Sequence, residues 1–173
     1  MLWSRSTRSP KSMGMCRGFL RIHTKKEKLM KVLTQPCGNC PFRKDQSFDL
    51  DPTRTLEITG ALEDDGHFVC HKTTDKPRSE QAFCGGAVRW MEANNKLFNN
   101  VLLRVSAQFG AMPFPLPPLL NPVSPSRWHL ASKKGETEEE TTQRCHEAIS
   151  EILGRELEFE DMEDTRNLLK EIE

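Results

Sequence analysis

Four cysteines within 48 residues constrain this chain more than any other feature. Cys37 and Cys40 stand in "QPCGNCPFRKD", Cys70 in "HFVCHKTT", and Cys84 directly before Gly85 and Gly86. A tetrahedral ion or a cubane cluster needs four ligands. A Cys-x-x-Cys step lets two thiolates of one tight turn face one centre. Gly38 and Asn39 suit such a turn because both tolerate positive φ, and its backbone N–H groups can stabilise thiolate charge. The Gly85-Gly86 pair lets backbone approach the fourth ligand closely. His71 is an alternative to Cys70, since zinc accepts imidazole.

The metal is left open at this level. Zinc ribbons usually carry two Cys-x-x-Cys steps, whereas here Cys70 and Cys84 are separated by thirteen residues. A proline directly after a ligand cysteine, as in Cys40-Pro41, occurs in iron–sulfur proteins. The expectation is therefore Zn2+ or a 4Fe-4S cluster on Cys37, Cys40, Cys70 and Cys84. The alternative is a thiol–disulfide or iron–sulfur redox enzyme using Cys37-Gly-Asn-Cys40. A thioredoxin-type site follows a strand and opens a helix, whose N-terminus lowers the first thiol's pKa. Lys31 to Thr34 makes a short strand at best, and "PFRKDQSFDLDP" has no helical period. A scatter of unrelated core cysteines is the remaining reading. The other two cysteines are set aside. Cys16 lies in an atypical leader, and Cys145 lies in the apolar stripe of a helix, where cysteine acts as a small hydrophobe.

"CGNCPFRKD", "FVCHKTT" and "FCGGAVRWMEANNKLFNNVLLRVSAQFG" together resemble an uncharacterised family of small phage and bacterial proteins. Its pattern is Cys-x-x-Cys-Pro-aromatic-Arg-Lys, then Phe-x-Cys-His-Lys, then Cys-x-Gly with a helix after. The resemblance spans about residues 36–110. It implies a small cytosolic protein with the four cysteines as its site, and it implies no activity.

The rest of the chain predicts a mainly α fold, with a small α+β arrangement as the variant. Asp51 and Pro52 are N-cap and first residue of a helix with Leu56, Ile58 and Leu62 on one side and Gly66 as its left-handed stop. A helix follows Gly85-Gly86. Val101, Val105 and Phe109 recur every four residues and carry a helix to Gly110. Phe68, Phe83, Trp90, Leu97 and Phe98 read as core. Residues 112–125 hold six of the eleven prolines, which forbids regular helix or central strand and predicts an extended connector. Thr137 and Glu140 form a capping box for a helix with the stripe Cys145, Ala148, Ile149, Ile152 and Leu153, stopped by Gly154. A second, shorter helix puts Met162, Leu169 and Ile172 on one side, giving a helical hairpin. The domain plan is a basic leader over 1–29, a four-cysteine domain over 30–111, a proline-rich linker over 112–135 and the acidic hairpin over 136–173.

Charge and composition narrow the classes. Residues 1–29 carry eight Lys/Arg against one acid, and residues 136–173 carry fourteen acids against four bases. The leader reads as a transit peptide, a basic arm, or a segment foreign to the native product. The last is favoured, because Lys25, Lys26, Glu27 and Lys28 have purine-only codons just ahead of Met30, like a translated ribosome-binding site. A native start at Met30 is expected. No apolar run nears the roughly 18 residues of a membrane helix, so a cytoplasmic location with reduced cysteines is expected. Arg43, Lys44, Lys72, Lys76 and Arg78 flank the cysteines, with Phe42 and Phe68 between them, so a nucleic-acid partner is one candidate. Seven bases against nine acids over residues 36–90 speak against it. His67 and His71 lack a carboxylate or hydroxyl partner at a diagnostic spacing. The expected function is a metal-binding accessory or binding module with an unknown macromolecular partner.

Overall fold

The computed structural model of the protein describes residues 30–158 and 165–172. The leader, with Cys16, and Met162 lie outside these residues. The fold is mainly α, as expected, with one parallel pair of two-residue strands. Among the described residues the regular elements are, in chain order, β1 (Lys31–Val32), α1 (Pro52–Glu63), β2 (Ala82–Phe83), α2 (Gly85–Ala93), α3 (Val101–Gln108), α4 (Glu138–Leu153) and α5 (Thr165–Ile172). Short 3₁₀ turns cover His71–Thr73, Arg78–Glu80, Leu97–Asn99 and Arg127–Ala131. None of the described helices is long and apolar enough to cross a membrane.

Local chemistry sets the helix ends. Asp51 caps α1 by accepting from the Thr53 amide at 2.8 Å, with Pro52 as its first residue. The expected stop at Gly66 is corrected: the left-handed residue is Asp65, at φ 67°. Gly66 is needed for space instead, since a Cβ there would lie 2.3 Å from the Ala61 carbonyl oxygen. Asn100 ties this corner to α3. Its side chain accepts from the Leu103 amide at 3.0 Å and donates to the carbonyls of Asp65 and Gly66 at 3.0 and 2.8 Å. In α4 the Thr137–Glu140 capping box is formed in both directions, and Gly154 closes the helix at φ 66°.

Two apolar clusters result. The first gathers Val32, Phe42, Leu62, Phe83, Val88, Trp90, Met91, Leu97, Leu103 and Met112 around Cys40, Cys70 and Cys84. The second gathers Leu56, Trp128, Ala131, Cys145, Ile149, Leu157 and Leu168. Helix α1 serves both: Leu62 enters the first and Leu56 the second. Cys145 is fully buried in the second cluster, as its place in the stripe predicted, and burial raises its thiol to about 11.

Some faces differ from the sequence reading. Helix α3 buries Leu103 and Ser106, while Val101 and Phe109 point outward. Four-residue spacing defines a stripe but not which side of the helix meets the core. Phe98 is likewise exposed, edge-on to Phe114 with centroids 4.8 Å apart. In α4, Ile152 is exposed, whereas Cys145 and Ile149 are buried. In α5 Leu168 is buried, with Leu169 and Ile172 partly buried beside it.

The proline-rich run is extended and fastened along its length. The Lys44 amide donates to Pro122, and the Ser124 amide donates to Phe42, at 3.0 and 3.1 Å. Gln35 donates to Pro118 and accepts from the Leu120 amide, at 2.8 and 3.1 Å. Arg89, 4% exposed, donates to Thr34 at 2.8 Å and also to Pro117. Prolines lack N–H groups but keep their carbonyls, and these carbonyls take the donors offered by the cysteine-bearing part.

Candidate metal centre

Three short segments carry the four cysteines of the described residues that the sequence singles out. The first is the Cys37–Cys40 turn, in which the Cys40 amide donates to the Cys37 carbonyl at 3.2 Å. Neither Gly38 nor Asn39 uses the left-handed region, contrary to the reason given above for their presence. The turn is an ordinary one, and the position of a Gly38 Cβ is empty space. Arg43 clamps it from outside by donating to the Gly38 carbonyl at 3.0 Å. The guanidinium is held in turn by Asp45.

The other two segments face each other around the Val69–Phe83 antiparallel bridge. The Cys70 amide donates to Ala82 and the Cys84 amide to Phe68, both at 2.8 Å. Side chains alternate along extended backbone. With Val69 and Phe83 on one face, Cys70 and Cys84 therefore share the other. Cys84 is also the N-cap of α2. Strand β1 closes the third side, since the Leu33 amide donates to Phe83 at 3.1 Å.

The thiols form two adjoining groups. Cys40 and Cys84 are buried with their sulfurs 3.7 Å apart. Cys37, Cys70 and His71 make the second group, with one ligand atom of each lying within 4.8 Å of the others. Cys37 Sγ stands 3.9 Å from His71 Nε2 and 4.0 Å from Nδ1. The sequence reading treated His71 as a replacement for Cys70. The structure places it beside Cys37 and Cys70 together.

The surroundings polarise these sulfurs. The Cys84 thiol beside Cys40 holds Cys40 below its ordinary value, aided by the backbone of Phe42 and Gly86. Cys84 is pushed up correspondingly, first by its hydrogen bond to Cys40 and then by burial. Cys37 is raised by burial, against the pull of the Asn39 backbone and of Lys72. Thiolate charge in this pair thus concentrates on Cys40, near the positive end of α2.

Both glycines after Cys84 prove to be packing residues. A Cβ on Gly85 would lie 2.1 Å from the Gln35 carbonyl oxygen. One on Gly86 would lie 2.2 Å from Cys40 Sγ and 3.0 Å from Phe42 Cβ. Close approach was legible from the pair, but its partner, Cys40, was not. Phe42, offered above as a stacking platform, is 1% exposed and packs edge-on against Phe68 at 5.5 Å. It belongs to the core, which leaves half-buried Phe68 from that pair. Arg43 was missed as a positioning residue, because its position after Cys-x-x-Cys-Pro-Phe reads equally as one of several surface cations.

The site also bears on the redox alternative. Residues 41–45 form turns with one bridge at Arg43, residues 46–50 hold no regular element, and the next helix begins at Pro52. The Cys-x-x-Cys step therefore opens no helix, the context on which thioredoxin-type activation depends. Among the described residues, Cys84 stands at the N-terminus of an α-helix, α2, and Cys70 at that of a 3₁₀ turn. The chain matches no family model, no curated protein and no solved structure.

Proposed function

We propose that this chain is a small metal-binding module whose site comprises Cys37, Cys40, Cys70 and Cys84, with His71 at its rim, and whose metal is a single tetrahedral ion of the zinc type. The supporting observations are a Cys37–Cys70–His71 group within 4.8 Å and a buried Cys40–Cys84 pair spaced at 3.7 Å, all four cysteines belonging to one apolar cluster. Zinc–sulfur bonds of about 2.3 Å at tetrahedral angles separate two ligand sulfurs by about 3.8 Å, which the Cys40–Cys84 spacing matches. A cubane binds each thiolate to a different iron and spreads the sulfurs further apart. Soft thiolates with one imidazole suit zinc on chemical grounds too.

The role that follows is architectural. One ion would join the 37–40 turn, the 68–73 segment and the start of α2, presenting the loops between them to a partner. No reaction is assigned.

The test is metal analysis of the anaerobically purified chain and its variants. About one zinc per chain and colourless protein are expected. Cys40→Ser, Cys70→Ser and Cys84→Ser should each remove most of the metal, while Cys145→Ala keeps it. Brown protein with a visible sulfur-to-iron band would replace zinc with a cluster. Metal-free protein with a reducible Cys37–Cys40 disulfide would replace the whole reading with the redox one.

A further inference from the structure

A second concavity has no cysteine in its walls. Its volume is about 340 Å³, and it lies between the loop that follows Arg43, the 3₁₀ turn at Arg127–Ala131 and the start of α4. The walls are held by the protein itself. The Lys44 amide donates to Pro122 at 3.0 Å, His129 Nε2 donates to the Arg43 carbonyl at 2.5 Å, and the Asp49 amide donates to Ser132 at 3.0 Å. The turn from Lys133 closes when the Glu136 amide donates to the Lys133 carbonyl at 3.1 Å, with Gly135 left-handed at φ 88°. Among the described residues, no large apolar side chain lines this cavity.

Its charge depends on which side chains are already paired. Asp45 is bonded to Arg43, and Glu136 to Arg144 at 2.8 and 2.9 Å. Lys44, Lys133 and Lys134 line the same space, and none of them forms an ion pair among the described residues. Glu138 is the remaining lining acid, so three cations stand against one anion. Ser124 also lines the cavity and is 3% exposed. Its oxygen accepts from the Ser126 amide at 3.3 Å, and among the described residues no acceptor takes its proton. A buried hydroxyl with a free donor is unfavourable until an acceptor reaches it.

We infer that this cavity is a binding site for a small hydroxylated phosphate monoester, of the sugar-phosphate class. Such a group carries about two negative charges near neutral pH and three strong acceptor oxygens. The charge matches the excess of two cations, and the oxygens match the donors of Lys44, Lys133, Lys134 and Ser124. A lone carboxylate would leave one cation unmatched. The volume falls at the lower end of the range for small-molecule sites, roughly 300–1,000 Å³, which leaves room beyond the phosphate. The polar lining selects hydroxyls for that remainder rather than a flat apolar ring. None of the proposed metal ligands takes part, so the inference is independent of the zinc reading.

The experiment titrates the full chain with glucose 6-phosphate by calorimetry at low ionic strength, and follows backbone amide shifts by NMR. One saturable site per chain is expected, with shifts concentrated at Ser124, Ser132 and Gly135. Binding should weaken as salt rises to about 0.15 M, and glucose should not bind. Lys133→Ala/Lys134→Ala should weaken binding by about tenfold or more, the scale of a charge-assisted hydrogen bond. Both lysines are exposed, so this variant should melt as wild type does. Ser124→Ala should weaken binding too, whereas Lys72→Ala/Lys76→Ala, outside the cavity, should leave it unchanged. No saturable binding at about 1 mM ligand, the weak end of specific affinity, overturns the inference. So does equal affinity for glucose 6-phosphate, inorganic phosphate and sulfate, or equal loss in the two lysine double variants, either of which would mean an adventitious ion only.

Discussion

Gly86→Ala is the sharpest probe of how the buried thiol pair is held. The added methyl carbon would sit 2.2 Å from Cys40 Sγ and 3.0 Å from Phe42 Cβ. That is about 1.3 Å closer to the sulfur than the roughly 3.5 Å at which non-bonded contact becomes favourable. Neither neighbour can yield easily. Cys40 is fully buried, and its turn is pinned by Arg43 through Gly38; Phe42 is wedged between Phe68 and Trp90. Overpacking of a tight core costs about 1–3 kcal/mol, and this site belongs at the top of that range. For a chain of this size about 3 kcal/mol corresponds to a fall in Tm of about 6–12 °C. Metal loss should accompany it, because ligand positions tolerate only about 0.2 Å of error. Gly38→Ala is the internal control: its Cβ meets nothing, and φ there is not left-handed. It should be neutral or stabilise by about 0.4–1 kcal/mol. Thermal melting and zinc stoichiometry on both variants check the pair. Wild-type melting and metal content in Gly86→Ala would refute the packing argument.

Two further outcomes follow from single side chains. Arg89→Ala removes the donor shared by the Thr34 and Pro117 carbonyls and the partner of Glu92. It should cost about 1.5–3 kcal/mol, the range for hydrogen bonds to a charged group, and should shift the first cut in limited proteolysis into residues 112–125. The Arg144 guanidinium beside Glu136 holds that carboxyl down at about 2, against an ordinary 4.5. A depressed carboxylate stabilises the fold above its unfolded value, and that stability is lost as pH falls from 4.5 towards 2. Glu136→Gln should therefore flatten the acid limb of a pH–Tm profile over that interval; an unchanged slope would mean the pair contributes nothing.

How legible this molecule is from its sequence depends on the range of the interaction. The capping of α1 by Asp51 and Pro52 and the capping box of α4 are local, set by residues within four positions, and the structure forms them as read. The identity of buried faces is not local. Val101 and Phe109 satisfy helical spacing as well as Leu103 does, but Asn100, bonded to Asp65 and Gly66, rotates α3 so that Leu103 goes inward. The proline-rich run shows the same limit. Its extended backbone follows from proline's missing N–H and fixed φ. Its docking depends on Gln35 and Arg89, which stand 83 and 28 residues from the carbonyls they bond. At the cysteines, spacing alone suggested that four thiols would meet. It could not show that Cys40 pairs with Cys84 and Cys37 with His71.

That division connects the site to the fold. The second cluster rests on α4, a capped helix of 16 residues, and on ordinary apolar burial. The segments bearing the cysteines are different in kind: two strands of two residues, an isolated bridge and 3₁₀ turns of three residues. Elements this short have too few backbone hydrogen bonds to repay the ordering of their chain. Three buried thiols lie among them, filling the core only as small hydrophobes. Cysteine adds little apolar area compared with leucine or phenylalanine. Its distinctive contribution is a thiolate, and here amides at the start of α2 and in the 37–42 turn are aimed at the sulfurs. On balance these amides and the neighbouring thiol lower only Cys40, whereas Cys84 and Cys37 are raised; a bound cation would be needed for the thiols to ionise together. The support for the proposed ligand role is thus the geometry, a Cys37–Cys70–His71 group within 4.8 Å and a Cys40–Cys84 pair at 3.7 Å.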